Sequence, residues 1–185
     1  MTGRHRKNMP TLWLMTDERV ADAALLAAAA RLPSGRGGIV FRHYHTPAPA
    51  RRALFEKLRA VARRRRLVLM LAGDARTAAA WRADGRHGRG ARRAVRPMLY
   101  SAPAHDVREL VAADRAGADI LFLSPLFATR SHPGQRPLGR VRFGAIAGHA
   151  RMPVMALGGV RSAQARSLGR IGASGLAAID GLTGR

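Results

Sequence analysis

The sequence predicts a single α/β domain folded as a TIM (β/α)8 barrel, and three observations support this prediction. Short apolar runs alternate with helical segments about eight times, and the connections between them are short. Most of the apolar runs have no polar face, which is typical of parallel strands covered on both sides. The chain has 185 residues, 47% of them hydrophobic, which suffices for one sizeable core. This length is below the usual range of about 200 residues or more, so we expect a trimmed barrel.

In the first half of the chain, each of the first three predicted strands is followed by a helix with recognisable end signals. The first helix is rich in alanine and leucine and stops before Gly35, the second has Pro49 in its first turn, and Asp74 is a candidate cap for the third. The predicted strands are 11–16, 38–44, 67–71 and 83–88, and the predicted helices are 19–32, 49–66 and 74–82.

The second half repeats the pattern with two gaps. Residues 89–96 leave little room for a full helix, and no full helix is expected after the eighth strand, so the barrel is predicted to be trimmed at both places. Residues 1–10 are polar and basic and are predicted to be a flexible lead-in, which leaves 11–185 as the barrel domain. The remaining predicted strands are 97–102, 117–125, 153–159 and 175–182, and the remaining helices are 105–116, 143–150 and 162–171.

The charge balance is strongly basic. The chain has 33 Lys and Arg residues against 11 Asp and Glu, which gives a net charge of +22, and Lys7 and Lys57 are its two lysines. Such a charge attracts polyanions, so small phosphorylated ligands and nucleic acid are both candidate partners. The arginines are spread over the whole chain, which is also what a compositional bias of the genome produces. Composition alone leaves both interpretations open.

Several classes of function are excluded or disfavoured by what the chain does not contain. It has no cysteine, which excludes disulfides, thiolate catalysis and cysteine zinc sites. No window approaches the roughly 20 apolar residues of a membrane span, and the N-terminus has no apolar core of a secretory signal. We therefore expect a cytoplasmic protein with no membrane partner.

In a parallel barrel the ligand site lies at the C-terminal ends of the strands, so the residues at those ends are candidates. Gly158 and Gly159 follow the seventh strand, where bare backbone can approach a phosphate or simply make a tight turn. Ile179 and Asp180 come at the end of the eighth strand, beside this glycine pair. These four residues predict a phosphate site between the last two strands.

Further candidates stand on the second, fifth and sixth strands. Arg42 lies on the second strand in an apolar setting and needs a partner, either an anion at the barrel mouth or Asp17 at the end of the first strand. Ser101 is predicted to end the fifth strand. The loop after the sixth strand carries more donors suited to an anionic ligand, namely Thr129, Ser131 and His132.

These residues lie in segments that resemble thiamine phosphate synthase and its thiazole tautomerase relatives. Two segments are the most specific: GADILFLSPLFATR, in which GAD precedes a strand, Pro, Phe and Thr, and PVMALGGV followed by GASGLAAI. The resemblance also covers TLWLMTDERV, GIVFRHY, ADGRH and SAPAHDVREL, and so nearly the whole chain. It implies a TIM barrel that joins a pyrimidine methyl pyrophosphate to a thiazole phosphate and expels pyrophosphate with the help of Mg²⁺.

The resemblance assigns roles to matching residues. It implies that Arg42, Ser101 and His132 are catalytic, with His132 in the place of a family lysine. Of the family's metal-binding acidic residues, only a shifted Asp74 remains as a weak match. The resemblance also implies a set of substrate-binding and phosphate-binding residues, namely Thr129, Ser131, Gly158, Gly159, Ile179 and Asp180.

Two alternatives to the synthase function remain open. One is a thiazole tautomerase-like isomerase with His105 or His132 as the acid–base group, a reaction that requires no metal. The other is a non-catalytic barrel that binds phosphorylated ligands or RNA through its positive charge.

Overall fold

The computed structural model describes residues 9–90, 97–129, 134 and 136–183 of the chain. Its eight strands form a closed parallel barrel in sequence order, which confirms the predicted fold class. The first and last strands close the ring, with Leu14 paired to Ala178. The strands are β1 (Leu12–Met15), β2 (Gly37–Phe41), β3 (Val68–Ala72), β4 (Gly85–His87), β5 (Leu99–Ala104), β6 (Ile120–Leu123), β7 (Val154–Leu157) and β8 (Gly175–Ala178).

Helices surround the barrel and connect most of the strands. Two of them start at the aspartate caps typical of helix N-termini: the Asp74 carboxylate accepts from the Thr77 N–H at 2.8 Å, and that of Asp106 from the Glu109 N–H at 2.8 Å. The helices are α1 (Asp22–Arg31), α2 (Ala48–Arg65), α3 (Ala75–Ala80), α4 (Val107–Arg115), α5 (Gly139–Ala147), α6 (Ala165–Gly169) and α7 (Asp180–Thr183), with a 3₁₀ turn at Ser162–Gln164 before α6.

Among the predicted boundaries that are wrong, three bear on the candidate site. Strand β2 ends at Phe41 because His43 adopts a positive φ of 33°, so Arg42 lies just after the strand and not on it. Strand β5 continues through Pro103 to Ala104, which places Ser101 inside the strand and not at its end. Strand β8 stops at Ala178, and the next residues turn into the one-turn helix α7.

The two ends of the chain pack against the barrel as far as they are described. Met9 packs against the core, and the Pro10 carbonyl accepts a hydrogen bond from the Trp13 indole at 2.8 Å. Residues 1–8 and most of the segment 89–96 lie outside the described residues, so the flexible lead-in and the missing fourth helix stay predictions. Within the described part of the chain, no helix combines the length and apolarity needed to cross a bilayer.

The barrel interior is filled by a few large side chains for which glycines make room. Trp13 is fully buried and packs edge-on against Phe122, with ring centroids 5.5 Å apart. A Cβ atom at Gly38 would collide with the Trp13 ring, and one at Gly85 would lie 2.7 Å from the Met70 methyl. The interior is therefore packed solid, and the open end of the barrel is left for the site.

We expect Gly38→Ala to destabilise the protein because the added methyl group would overlap the Trp13 indole, which has no space to move in a filled barrel. Overpacking of this kind costs about 1–3 kcal/mol, measured as the free energy of unfolding in denaturant. Gly169→Ala is the matched control, since a Cβ there meets nothing within 4 Å. Equal stability of the two variants would contradict this account of the interior.

Candidate active site

The strand ends at the C-terminal side of the barrel surround a cavity of about 310 Å³. It opens between β6, β7 and β8, with Arg42 from the end of β2 on its wall. Of the predicted site residues, six line this one cavity: Arg42, Thr129, Gly158, Gly159, Ile179 and Asp180. Ser131 and His132 lie outside the described residues. The remaining two predicted residues, Ser101 and Asp74, lie elsewhere.

The glycine pair after β7 is held against the loop that follows β6. The Leu126 N–H donates to the Leu157 carbonyl at 2.8 Å, and the Phe127 N–H donates to the Gly158 carbonyl at 3.0 Å. Both glycines have positive φ, 92° at Gly158 and 63° at Gly159. A Cβ at Gly158 would lie 2.8 Å from Pro125, and one at Gly159 would lie 2.8 Å from the Phe127 Cβ. The glycines therefore make the tight turn and also present bare backbone to the cavity.

Arg42 is held at the mouth by β1 and its loop. Its Nε donates to the Thr16 carbonyl at 2.8 Å, and its Nη2 lies 3.3 Å from Asp17 Oδ2. Asp17 is bound more closely by Arg19, whose Nε and Nη2 each donate to it at 2.8 Å. Of the two partners predicted for Arg42, the structure thus supplies Asp17, at a longer distance than its contact with Arg19.

The charges of this cluster are strongly coupled. The hydrogen bond from the Arg19 side chain lowers the pKa of Asp17 to about 2. The same contact raises the pKa of Arg19, and the Asp180 carboxylate acts on Arg19 in the same direction. Burial lowers the pKa of Arg42, but a guanidinium stays charged in proteins. The cavity therefore has a cation on its wall and a carboxylate whose charge Arg19 partly offsets.

Ser101 lies inside the barrel below the mouth. It is fully buried, and its hydroxyl is 2.9 Å from Nδ1 of His87, the last residue of β4. The His87 ring packs edge-on against Phe122. Burial, with the Arg42 and Arg86 charges in support, lowers the pKa of His87 to about 3, so this imidazole is neutral at neutral pH. The pair lies inside the barrel and does not line the cavity.

Asp74 does not fit the metal-ligand role that the resemblance implies. Its two oxygens accept from the N–H and the hydroxyl of Thr77, at 2.8 and 2.7 Å, so the carboxylate is used as the cap of α3. Among the described residues, no group of three or more His, Asp or Glu side chains is placed to hold a metal ion. The residues that the structure describes do not fit a Mg²⁺ site, and no catalytic step is derived through this ion.

The structure adds site residues that the sequence analysis did not single out. Ser124 and Arg161 line the cavity, and His105 Nδ1 donates to the Ser124 carbonyl at 2.7 Å. Ser124 stands at the end of an apolar run directly before Pro125, and this position was a signal for it. His87 had no comparable signal, because its role depends on its pairing with Ser101 across two strands.

Together these features define a TIM barrel with a small-molecule site at the C-terminal ends of its strands, lined by glycine backbone, a hydroxyl group and arginine. The family model described as thiamine monophosphate synthase matches residues 12–182. The chain belongs to the thiamine monophosphate synthase family, which confirms the resemblance found in the motifs. The family is named for a transferase reaction of thiamine biosynthesis, which is the predicted function.

Individual relatives agree with the family assignment. The chain is 31% identical over 179 residues to the thiamine-phosphate synthase of Chloroflexus aurantiacus, covering 91% of this chain and 83% of that protein. It is 31% identical over 184 residues to that of Roseiflexus castenholzii, covering 94% and 81%. The solved structure of thiamine phosphate pyrophosphorylase from Pyrococcus furiosus superposes with a TM-score of 0.79 at 23% identity, over 97% of this chain and 90% of that one. The last likeness shows the fold alone.

Gly159→Ala should loosen the contact between the loops after β6 and β7, because the new Cβ would meet the Ala128 carbonyl oxygen, which is backbone, and cannot be accommodated by a side-chain rotation. We expect faster amide hydrogen exchange at Leu126 and Phe127, by about tenfold or more. Gly144→Ala is the control, since its nearest neighbour would be 3.7 Å away. Unchanged protection at both amides would show that the glycine is not required for this contact.

His87 should make stability depend on pH between its folded pKa of about 3 and its ordinary value of 6.5. In this window the unfolded chain takes up a proton that the folded chain does not, so stability falls as the pH falls from 6.5 towards 3. The expected slope approaches about 1.4 kcal/mol per pH unit, measured by denaturant unfolding between pH 6 and 4. His87→Asn should reduce this slope, whatever its overall stability, and His43, whose pKa is also lowered by burial, should keep its own contribution. An unchanged slope would contradict the neutral buried imidazole.

Proposed function

We propose that this protein joins a hydroxymethylpyrimidine pyrophosphate to a thiazole phosphate, releasing pyrophosphate and forming thiamine phosphate. The observation that carries the proposal is that six residues predicted from separate motifs, in the segments that follow strands β2, β6, β7 and β8, line one cavity at the barrel mouth. Its volume of about 310 Å³ is at the lower end of the range for small-molecule sites. Family membership supports the same reaction.

The two ends of the cavity suit two different substrate groups. The glycine backbone at Gly158 and Gly159, together with Thr129, is proposed to hold the thiazole phosphate, since peptide N–H and hydroxyl groups are phosphate donors. Arg42, on the β2 side, is proposed to hold the pyrophosphate of the pyrimidine substrate. The substrates would then meet across the barrel mouth.

The residues would act by positioning and electrostatics. As the resemblance implies, a carbocation develops on the pyrimidine while pyrophosphate leaves, so the leaving anion must be stabilised by donors already in place. Arg42 meets this need because its side chain is 17% exposed and fixed by Thr16 and Asp17, so little reorganisation is required. Holding the thiazole phosphate fixes the distance between the nucleophilic nitrogen and the cation.

Three expectations from the sequence are not tested by the structure or the comparisons. The resemblance implies a need for Mg²⁺, which the described carboxylates do not support. Nucleic-acid binding through the net charge of +22 and a cytoplasmic location both stay predictions.

A second candidate function, isomerisation of the thiazole phosphate, is favoured by one contact. His105 Nδ1 donates to the Ser124 carbonyl, which fixes the proton on Nδ1 and leaves Nε2 of the neutral ring as a base next to a cavity residue. Incubation with a thiazole phosphate tautomer alone separates the two functions, because isomerisation needs no pyrimidine substrate.

Arg42→Gln should lower kcat/KM for thiamine phosphate formation about 100-fold or more, since it removes the cation that meets the leaving pyrophosphate. The measurement is product formation from both substrates, with and without Mg²⁺. Arg63→Gln is the matched control, because Arg63 is exposed on the last turn of α2 and away from the mouth. No thiamine phosphate from the wild-type protein under either condition would refute the synthase proposal.

A further inference from the structure

Every carboxylate of the protein can be located. The sequence has 11 Asp and Glu residues, and all of them fall within the described residues. A protein site for Mg²⁺ with a diphosphate draws on one or two carboxylates beside the phosphate oxygens. The position and the partners of each carboxylate therefore decide whether such a site can exist.

Four of the 11 carboxylates lie away from the mouth. Asp84 and Asp119 sit at the opposite, N-terminal ends of the strands, where they accept from the Leu69 and Tyr100 N–H groups at 2.8 and 2.9 Å. On the helices, Glu56 pairs with Arg52 and Arg59, and Asp114 lies 3.9 Å from Arg151. Asp22 is on the mouth side, in the first turn of α1, but it does not line the cavity.

The other carboxylates on the mouth side are bound by groups of the protein itself. Glu18 accepts three hydrogen bonds from His45 and Thr46 at 2.7 to 2.8 Å. Asp74 and Asp106 cap α3 and α4, and Glu109 accepts from Arg89 at 2.6 Å and from the His105 N–H at 2.9 Å. Asp180 is the single carboxylate among the described residues that line the cavity.

Asp180 is not a free metal ligand either. It has interactions of its own, and it contributes to raising the pKa of Arg19. Asp17, on the loop after β1, is bound by Arg19 through two side-chain contacts of 2.8 Å. Arg19 therefore already supplies positive charge to both aspartates, by direct contact with Asp17 and through its electrostatic interaction with Asp180.

The positive charge needed by a diphosphate is instead present on arginine. Arg42 and Arg161 line the cavity together with Asp180, so cations outnumber carboxylates among the described residues of its wall. Arg42 has five N–H donors, of which Nε is used by Thr16 and Nη2 makes only a 3.3 Å contact with Asp17. Because Arg19 already satisfies Asp17, Arg42 keeps its charge available for an anion. Its partial burial strengthens that attraction.

We propose that the mouth binds diphosphate directly through arginine, chiefly Arg42, and that no divalent cation held by the protein's own carboxylates takes part. The choice of diphosphate as ligand rests on the proposed function, whereas the absence of a carboxylate site rests on the positions of all the Asp and Glu residues.

The test is titration calorimetry of inorganic pyrophosphate into the wild-type protein with EDTA present, at about 0.15 M salt so that loose surface attraction is screened. We expect saturable binding, weakened about tenfold or more by Arg42→Gln and less by Arg42→Lys, which keeps the charge but loses the planar fork. Arg63→Gln should bind as the wild type does. Equal weakening by Arg63→Gln would show general polyelectrolyte attraction and overturn the proposal, as would unchanged affinity in a folded Arg42→Gln protein.

A second readout addresses the metal directly. Water-proton relaxation with Mn²⁺ and the protein alone should show no saturable site at millimolar metal, and Asp180→Asn should not change the signal. Pyrophosphate binding that appears only with Mg²⁺, or a Mn²⁺ site lost in Asp180→Asn, would overturn the proposal. Thiamine phosphate formed only with Mg²⁺ would leave the proposed function standing and contradict this inference. Arg42-dependent pyrophosphate binding in EDTA without any product would support this inference and contradict the proposed function.

Discussion

The filling of the barrel interior by Trp13 is the packing constraint on which the rest of the structure depends. The indole occupies the space that a side chain at position 38 would need, donates to the Pro10 carbonyl and packs edge-on against Phe122. Phe122 in turn contacts the His87 ring, and His87 contacts Ser101. A continuous series of contacts therefore runs from Trp13 through Phe122 and His87 to Ser101. These side chains fill the inside of a small barrel, while the ends of its strands surround the cavity at the mouth.

Contacts between neighbouring strand ends hold the site residues in place. The loop after β6 is hydrogen-bonded to Leu157 and Gly158 at the end of β7, and Arg42 is bonded to Thr16 at the end of β1. Behind Arg42, Arg51 Nη2 donates to the Arg42 carbonyl at 3.2 Å and to the Ala72 carbonyl at 2.8 Å. Arg42 and the turn at Gly158 are thus fixed by adjacent elements, which is the preorganisation that electrostatic catalysis requires.

The sequence predicted those features that depend on local pattern. Apolar runs located seven of the eight strands, the short fourth strand was predicted in spite of its weak apolar content, and the position of Asp74 before a helical segment identified a real cap. The errors arose where tertiary contacts decide: the positive φ of His43 ends β2 early, and β5 continues through Pro103, so Ser101 pairs with His87 inside the barrel. Asp74 shows the limit of predicting function from the sequence. An aspartate can serve as a helix cap or as a metal ligand, and only the contacts with Thr77 identify Asp74 as a cap.

The arrangement at Asp180 shows why the effect of a carboxylate on a phosphate site has to be judged in three dimensions. A carboxylate at the end of β8 would repel a phosphate if it stood alone. Strands β1 and β8 are neighbours only because the barrel closes, and this closure brings the loop after β1, with Arg19, to the electrostatic range of Asp180. Residues 161 positions apart in sequence therefore offset each other. Because Arg19 also binds Asp17, its charge partly offsets both carboxylates, and Arg42 keeps its own charge available for an anion.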